Sequence, residues 1–171
     1  PFRVVDAVEG RVGVVVDSPH SGMDWPLDFA PDASRESILT TWDAFVDELW
    51  AGAPGAGAAL LSACFPRAYI DVNRAADDID AELLDAPWPV PLRATDYSRR
   101  AMGLIRRLAL PGQPMYRRRL SPEAVRARLD GYYYPYRDRL RALIDERCAA
   151  FGSVVHVNGH SMKSRGNAMN V

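Results

Sequence analysis

Two of the three histidines directly follow segments that are typical of buried strands. His20 lies in SPHSG, after the β-branched run VGVVVDS, and His160 lies in NGHS, after SVVHVN. Because neighbouring parallel strands end at the same edge of a sheet, both imidazoles are expected at one rim. Neutral imidazole is a common metal ligand, and a catalytic zinc ion needs only three protein ligands beside its bound water. The two histidines therefore indicate a metal site.

A carboxylate would complete such a site. Asp43 and Asp47 lie one turn apart on an amphipathic segment and are the nearest candidates, whereas Asp17 lies within the strand and is expected to point away from the rim. An aspartate on an amphipathic helix usually belongs to its solvated face, so the residues alone leave the third ligand open. His156 alternates with valines, which favours a place in the core or against a helix.

A second polar group closes the segment RAYIDVNR, residues 67–74. Asn73 and Arg74 end a predicted strand here, and a guanidinium can bind a substrate carboxylate through two parallel hydrogen bonds. The alternative is a structural salt bridge between Asp71 and one of the arginines. Both interpretations remain open from the residues.

The elements that must position these residues follow from hydrophobic periodicity. We expect a helix over 34–50, an irregular segment over 75–100, and a helix over 121–152 that Pro135 kinks or splits. Buried or short strands are expected at 12–18, 57–63, 67–73 and 153–161. Strand, helix and strand in this order are typical of an α/β fold.

Composition excludes several classes of protein. With 171 residues, 48% hydrophobic, the chain can bury the core of one ordinary domain, and 21 basic against 22 acidic residues give no footprint for nucleic acid. No membrane span or signal peptide is evident, so we expect a cytoplasmic protein with a small-molecule ligand. An oligomer is possible. Cys64 and Cys148 are isolated in apolar surroundings and are interpreted as core residues.

Short motifs follow one another along nearly the whole chain. They are SPHSG (18–22), DAFVDEL (43–49), RAYIDVNR (67–74), DD (77–78), GLIRR (103–107), GQPMY (112–116), YYYPY (132–136) and GHSMKS (159–164). In this order and spacing they resemble the N-formylglutamate amidohydrolase family, a relative of the zinc carboxypeptidases and aspartoacylases. The resemblance implies a phosphorylase/hydrolase-like α/β fold, a mixed sheet flanked by helices, in a single metallohydrolase-like domain over 1–171.

The resemblance also implies a ligand set for Zn²⁺ or another divalent metal: His20, Asp43 and His160. The two histidines thereby take part in catalysis. It further implies residues that handle the substrate, namely Arg67 polarising the scissile carbonyl, Asn73 and Arg74 gripping a carboxylate, and Ser161 shaping the pocket. The implied reaction is metal-assisted hydrolysis of N-formyl-L-glutamate to formate and glutamate, a step of histidine degradation.

Two departures from the family pattern bear on this expectation. Asn158 stands where the family usually has an aspartate, and a neutral amide would orient the imidazole of His160 less strongly, which weakens metal binding by about 10- to 100-fold. Family members also continue well beyond this length, through a strand with a glutamate that resembles the general base of zinc peptidases. Nothing in GNAMNV, 166–171, replaces it, so the C-terminal portion of the family domain is expected to be missing.

Two other functions remain open. One keeps the metal and changes the substrate, as in a carboxypeptidase-like enzyme or a deacylase for another N-acyl amino acid. The other is a catalytically silent relative whose arginines bind carboxylates without turnover.

Overall fold

A mixed four-stranded sheet forms the centre of the computed structural model, which describes residues 1–162. The strand order is β1-β3-β2-β6, in which β2 runs parallel to both neighbours and β1 is antiparallel to β3. The strands are β1 (Phe2–Val5), β2 (Val14–Ser18), β3 (Ala59–Ala63) and β6 (Val155–Asn158). A separate hairpin pairs β4 (Leu108–Leu110) with β5 (Gln113–Pro114).

Helices cover the sheet. They are α1 (Arg35–Leu39), α2 (Val46–Leu49), α3 (Asp96–Arg99), α4 (Pro122–Arg128) and α5 (Tyr134–Phe151). Val15 and Leu61 lie in the main core together with Leu140 of α5, whereas Val16 and Leu60 form a second cluster. Because successive strand residues point to opposite faces, both sides of the sheet are packed. The predicted fold class, a mixed sheet flanked by helices, is confirmed.

The prediction of a single helix over 34–50 is wrong, because the segment forms two short helices. The hydroxyls of Thr40 and Thr41 donate to carbonyl oxygens of the preceding turn, at 2.7 and 2.8 Å, and α1 ends there. The backbone N–H of Asp43 then donates to the carbonyl oxygen of His20 rather than to a helical carbonyl. Tertiary contacts thus override the hydrophobic period, and the break brings Asp43 to the end of β2.

The prediction of a strand over 67–73 is also wrong. The N–H of Tyr69 bonds back to the carbonyl of Pro66 in a turn, and the N–H of Asp71 donates to the carbonyl of Leu104 at 2.8 Å. The apolar residues of segment 67–73 are buried, as they would be in a strand, but the backbone here forms successive turns. The sequence also gave no indication of β1 or of the β4–β5 hairpin.

Other expectations are confirmed. The runs at 12–18, 57–63 and 153–161 contain β2, β3 and β6, and 75–100 is irregular apart from α3 and one 3₁₀ turn. The helix over 121–152 is split by a π-helical stretch, Leu129–Tyr133, just before Pro135. No helix among residues 1–162 is long and apolar enough to cross a bilayer. The segment 166–171, expected to lack the family's glutamate, lies outside the described residues.

The core interpretation of the two cysteines is wrong for Cys148. This residue lies on the solvent side of α5 and is exposed, whereas Cys64, after β3, is half-buried. An apolar sequence neighbourhood does not show which face of a helix a residue occupies.

Gly22, in SPHSG, is required because two backbones meet there. A Cβ at this position would lie 2.2 Å from the carbonyl carbon of Cys64, and the N–H of Asp24 donates to the same carbonyl at 2.8 Å. We expect Gly22→Ala to lower the free energy of unfolding by about 1–3 kcal/mol in urea denaturation. Gly52→Ala is the matched control, since nothing lies within 4 Å of its Cβ position. Equal stability of the two variants would contradict this packing argument.

Candidate metal centre and substrate pocket

Three side chains meet where β2 and β6 end. His20 follows β2, His160 follows β6, and the break before α2 places Asp43 between them. His160 Nδ1 lies 2.8 Å from Asp43 Oδ2, and His20 Nδ1 lies 3.3 Å from the same oxygen and 3.2 Å from His160 Nδ1. His20 and Asp43 are buried, whereas His160 is exposed, so the cluster opens to solvent on one side.

The hydrogen bond from His20 to Asp71 fixes the tautomer of His20. Its Nε2 lies 2.7 Å from Asp71 Oδ1, and Asp71 is 2% exposed. Burial alone would raise the pKa of Asp71, but hydrogen bonds from His20 and Arg67 outweigh it and hold the pKa well below its ordinary value. The ionised carboxylate can only accept, so Nε2 carries a proton and Nδ1 is the nitrogen that faces the cluster.

A corresponding bond fixes His160. Its Nε2 donates to Asn158 Oδ1, and the amide nitrogen of Asn158 donates to Asp17 Oδ1 at 2.8 Å. The second bond orients the amide, because its oxygen must then face the imidazole. Asn73 adds a donor to the same Asn158 oxygen at 3.0 Å. These contacts orient the ring so that Nδ1 of His160 faces the cluster.

Three potential ligand atoms consequently converge. Two imidazole nitrogens and a carboxylate oxygen lie within 4.8 Å of one another, which is close enough for all three to bind one cation. Burial would raise the pKa of Asp43, but its contacts with His20 and His160 outweigh this effect and lower it, so the carboxylate is ionised. This donor set fits a divalent metal such as Zn²⁺, which takes histidine nitrogen and aspartate oxygen ligands.

The other aspartates considered as ligands are placed elsewhere. The backbone N–H of Asp47 donates to Ser21 Oγ, and within the described part of the chain its carboxylate does not join the cluster. Asp17 lies beneath the cluster and is 1% exposed; it accepts hydrogen bonds from Asn158 and Tyr136. Asp43 is thus the carboxylate that the fold brings to both histidines.

His156 does not lie in the core. It is partly exposed at the edge strand β6, faces α5 and contacts Asp17 Oδ1 through Nε2 at 2.8 Å. Of the two positions expected for His156, the one against a helix agrees with the structure. The buried position in the core does not.

Arginines surround the cluster on the side of Asp71. Arg67 Nη2 donates to Asp71 Oδ2 at 2.7 Å, and Arg67 Nη1 lies 3.9 Å from Asp43 Oδ1. Arg74 Nε lies 3.7 Å from Asp71 Oδ2, and its guanidinium stacks on the ring of Tyr97, 3.4 Å from the ring centre. The structural salt bridge considered for Asp71 therefore exists. Both Nε atoms are buried without a hydrogen-bond partner among residues 1–162.

The remaining predicted substrate residues lie beside this group. Asn73 is exposed and reaches His160 and Asn158, while Ser161 is exposed next to His160. The residues alone gave no indication of the contacts of Asp71 with His20 and of Asp17 with Asn158. They also did not single out Arg106, whose pKa is lowered by burial and by the nearby positive charges of Arg67 and Arg74. The only signal for Arg106 was its place in GLIRR.

The geometry gives a reason for Asn158. An aspartate at this position would place a carboxylate 2.8 Å from Asp17, so we expect Asn158→Asp to lower the free energy of unfolding by about 1–3 kcal/mol. The double variant Asp17→Asn/Asn158→Asp again pairs one amide donor with one carboxylate. It should recover most of the free energy of unfolding that Asn158→Asp loses. Urea denaturation of the two single variants and the double variant measures this coupling. Additive losses in the double variant would contradict it.

The fold and this cluster together define an α/β protein whose ligand site lies beyond the carboxyl ends of parallel strands. The sequence matches the model of the N-formylglutamate amidohydrolase family over residues 12–170, and the chain belongs to this family. The resemblance seen in the ordered motifs is thereby confirmed.

Individual relatives agree with this assignment. The chain is 26% identical over 167 residues to an N-formylglutamate deformylase of Pseudomonas putida and 30% identical over 167 residues to one of Pseudomonas aeruginosa. These matches cover 95% of this chain but 56% of each relative. The crystal structure of an N-formylglutamate amidohydrolase from Ralstonia eutropha JMP134 superposes with a TM-score of 0.92 at 40% identity, over 95% of this chain and 58% of that one. The chain thus spans a little over half the length of these relatives.

Proposed function

We propose that the protein containing this chain hydrolyses the formamide bond of N-formyl-L-glutamate, giving formate and glutamate, with the aid of a divalent metal. The observation that carries the proposal is the convergence of two imidazole nitrogens and a carboxylate oxygen beside a group of arginines. The names of the relatives from both Pseudomonas species and from Ralstonia support the substrate.

The chain's residues supply the ligands and hold them in place. His20, Asp43 and His160 would bind the metal, with Asp71 fixing one imidazole and Asn158 the other. A bound Zn²⁺ lowers the pKa of its water to about 7 and polarises a carbonyl, which is the chemistry that amide hydrolysis requires. Because the histidines are held by hydrogen bonds from outside the cluster, little reorganisation accompanies metal binding.

The arginines provide for the substrate's charges. Arg74 binds the α-carboxylate in this proposal, because its guanidinium is held flat on Tyr97 while its Nε has no hydrogen-bond partner among the described residues. Arg67 lies beside Asp43 and so beside the expected position of the reacting carbonyl. It donates to the oxyanion that develops there, a role in which a fixed positive charge lowers the barrier. Asn73, adjoining His160, closes the same side of the pocket.

Formate release from N-formyl-L-glutamate tests the proposal. We expect enzyme-coupled detection of formate to show turnover by the full protein, with much slower release of acetate from N-acetyl-L-glutamate. Release of acetate with no release of formate would favour the deacylase alternative. Binding of glutamate without hydrolysis of either compound would favour the catalytically silent alternative.

A further inference from the structure

Arg106 is a third arginine of this site with no role assigned so far. It follows Leu104 and Ile105, which are fully buried, and is itself half-buried. The backbone of Leu104 is tied on both sides, since its N–H donates to the carbonyl of Asp78 and its carbonyl accepts from the N–H of Asp71, each at 2.8 Å. The segment that carries Arg106 is therefore held against the segment that carries Arg74.

The guanidinium of Arg106 lies within the electrostatic reach of the whole site. Burial, together with the positive charge of Arg67 and then of Arg74, lowers its pKa to about 10, while Asp71 and Asp43 oppose the shift. The side chain is still protonated at neutral pH. Its positive charge is partly removed from water, and no carboxylate among the described residues forms an ion pair with it.

The three arginines differ in how closely each is paired with a carboxylate. Arg67 has Asp71 at 2.7 Å, and Arg74 has it at 3.7 Å and stacks on Tyr97. Arg106 has no ion pair within the part of the chain that the structure describes. The buried carboxylate of Asp78 also lies near Arg74, so Arg67 and Arg74 both have carboxylates close by, and Arg106 is the guanidinium of the three without an ion pair among residues 1–162.

An arginine without an ion pair, near a second arginine that is only partly paired, suits a ligand with two carboxylates. N-formylglutamate is such a ligand, since it carries carboxylates at both ends of a five-carbon chain. We propose that Arg106 binds the side-chain carboxylate of the substrate, opposite Arg74, and so selects N-formylated dicarboxylic amino acids over neutral ones. This inference rests on the proposed function and names the residue that determines its specificity.

Kinetics on a matched pair of substrates tests the assignment. Arg106→Gln should lower kcat/KM for N-formyl-L-glutamate by about 10- to 100-fold, because a charge-assisted hydrogen bond is lost. The same variant should change kcat/KM for N-formyl-L-glutamine less than about 3-fold, because that side chain carries no charge. Arg107→Gln is the matched control, since Arg107 pairs with Asp80 and Glu82 instead of facing the site. Equal losses on both substrates would overturn the inference while leaving the proposed function intact.

Binding of unreactive probes separates the two claims. Glutarate has the same five-carbon dicarboxylate chain without the formamide, and its monoamide lacks one charge. Calorimetry should show glutarate binding the wild type more tightly than the monoamide, with this preference lost in Arg106→Gln and kept in Arg107→Gln. A preference that survives in Arg106→Gln overturns the inference, as does its absence in the wild type. Arg106-dependent preference without formate release would support the inference and contradict the proposed function.

Discussion

Formate release by the His20→Ala variant should fall by about 1000-fold or more, together with its metal content. The metal stabilises developing charge by several kcal/mol, and removal of one of three ligands forfeits that stabilisation. His20 is the most constrained of the three proposed ligands, because it is 1% exposed and bonded to Asp71 through its other nitrogen. Metal content is measured by atomic emission on the same preparations that are assayed for formate.

His156→Ala is the matched control for this variant. His156 lies outside the cluster, on the edge strand, and contacts Asp17 instead of the metal ligands. We expect it to keep its metal. Full metal content and turnover in His20→Ala would exclude His20 as a ligand, and metal loss in both variants would point to a general loss of folding instead.

Arg67→Ala is expected to have the second largest effect, a fall in kcat of about 100- to 1000-fold. Loss of one donor to a developing oxyanion has this magnitude, and Nη1 of Arg67 lies 3.9 Å from Oδ1 of Asp43. The exposed Arg99, paired with Asp96, provides the control Arg99→Ala, for which kcat should be unchanged.

Arg67 also contacts Asp71, which holds His20, so the metal content of Arg67→Ala must be measured as well. Retained metal with a low kcat supports the oxyanion role. A raised KM with unchanged kcat would instead make Arg67 a ground-state binding residue and contradict the assignment.

The histidine pair could be predicted from the sequence because strand ends are local features. A β-branched run followed by turn residues marks the end of a buried strand, and His20 and His160 each follow one. Parallel pairing of β2 with β6 then brings the two imidazoles to one rim. Local pattern and the geometry of parallel sheets were sufficient for this part of the site.

The third ligand could not be derived in the same way. Asp43 reaches the cluster only because the helix expected over 34–50 breaks, and the break depends on a hydrogen bond from Asp43 to the distant His20. Periodicity describes one face of a continuous helix and does not contain this contact. The family resemblance suggested Asp43 over Asp47, whereas the residues left both open.

The hydrogen bonds that orient the ligands also depend on tertiary structure. From the sequence, Asn158 was expected to orient His160 less well than an aspartate would. In the structure its neutral amide donates to the buried Asp17 and accepts from His160, which an ionised aspartate could not do. Arg106 is comparable, since a single arginine in GLIRR has no distinguishing local feature. The hydrogen bonds of Leu104 to Asp78 and Asp71 hold its segment beside the site, and these contacts are not visible in the sequence.

The central claim, a metal-dependent amide hydrolase, is tested most directly by following metal content and formate release through removal and return of the metal. The full protein is dialysed against a chelator and titrated with Zn²⁺ while both quantities are measured on each sample. We predict about one metal ion per chain, loss of formate release with the metal, and recovery in proportion to the ion returned. Undiminished formate release by the metal-free protein would contradict the account.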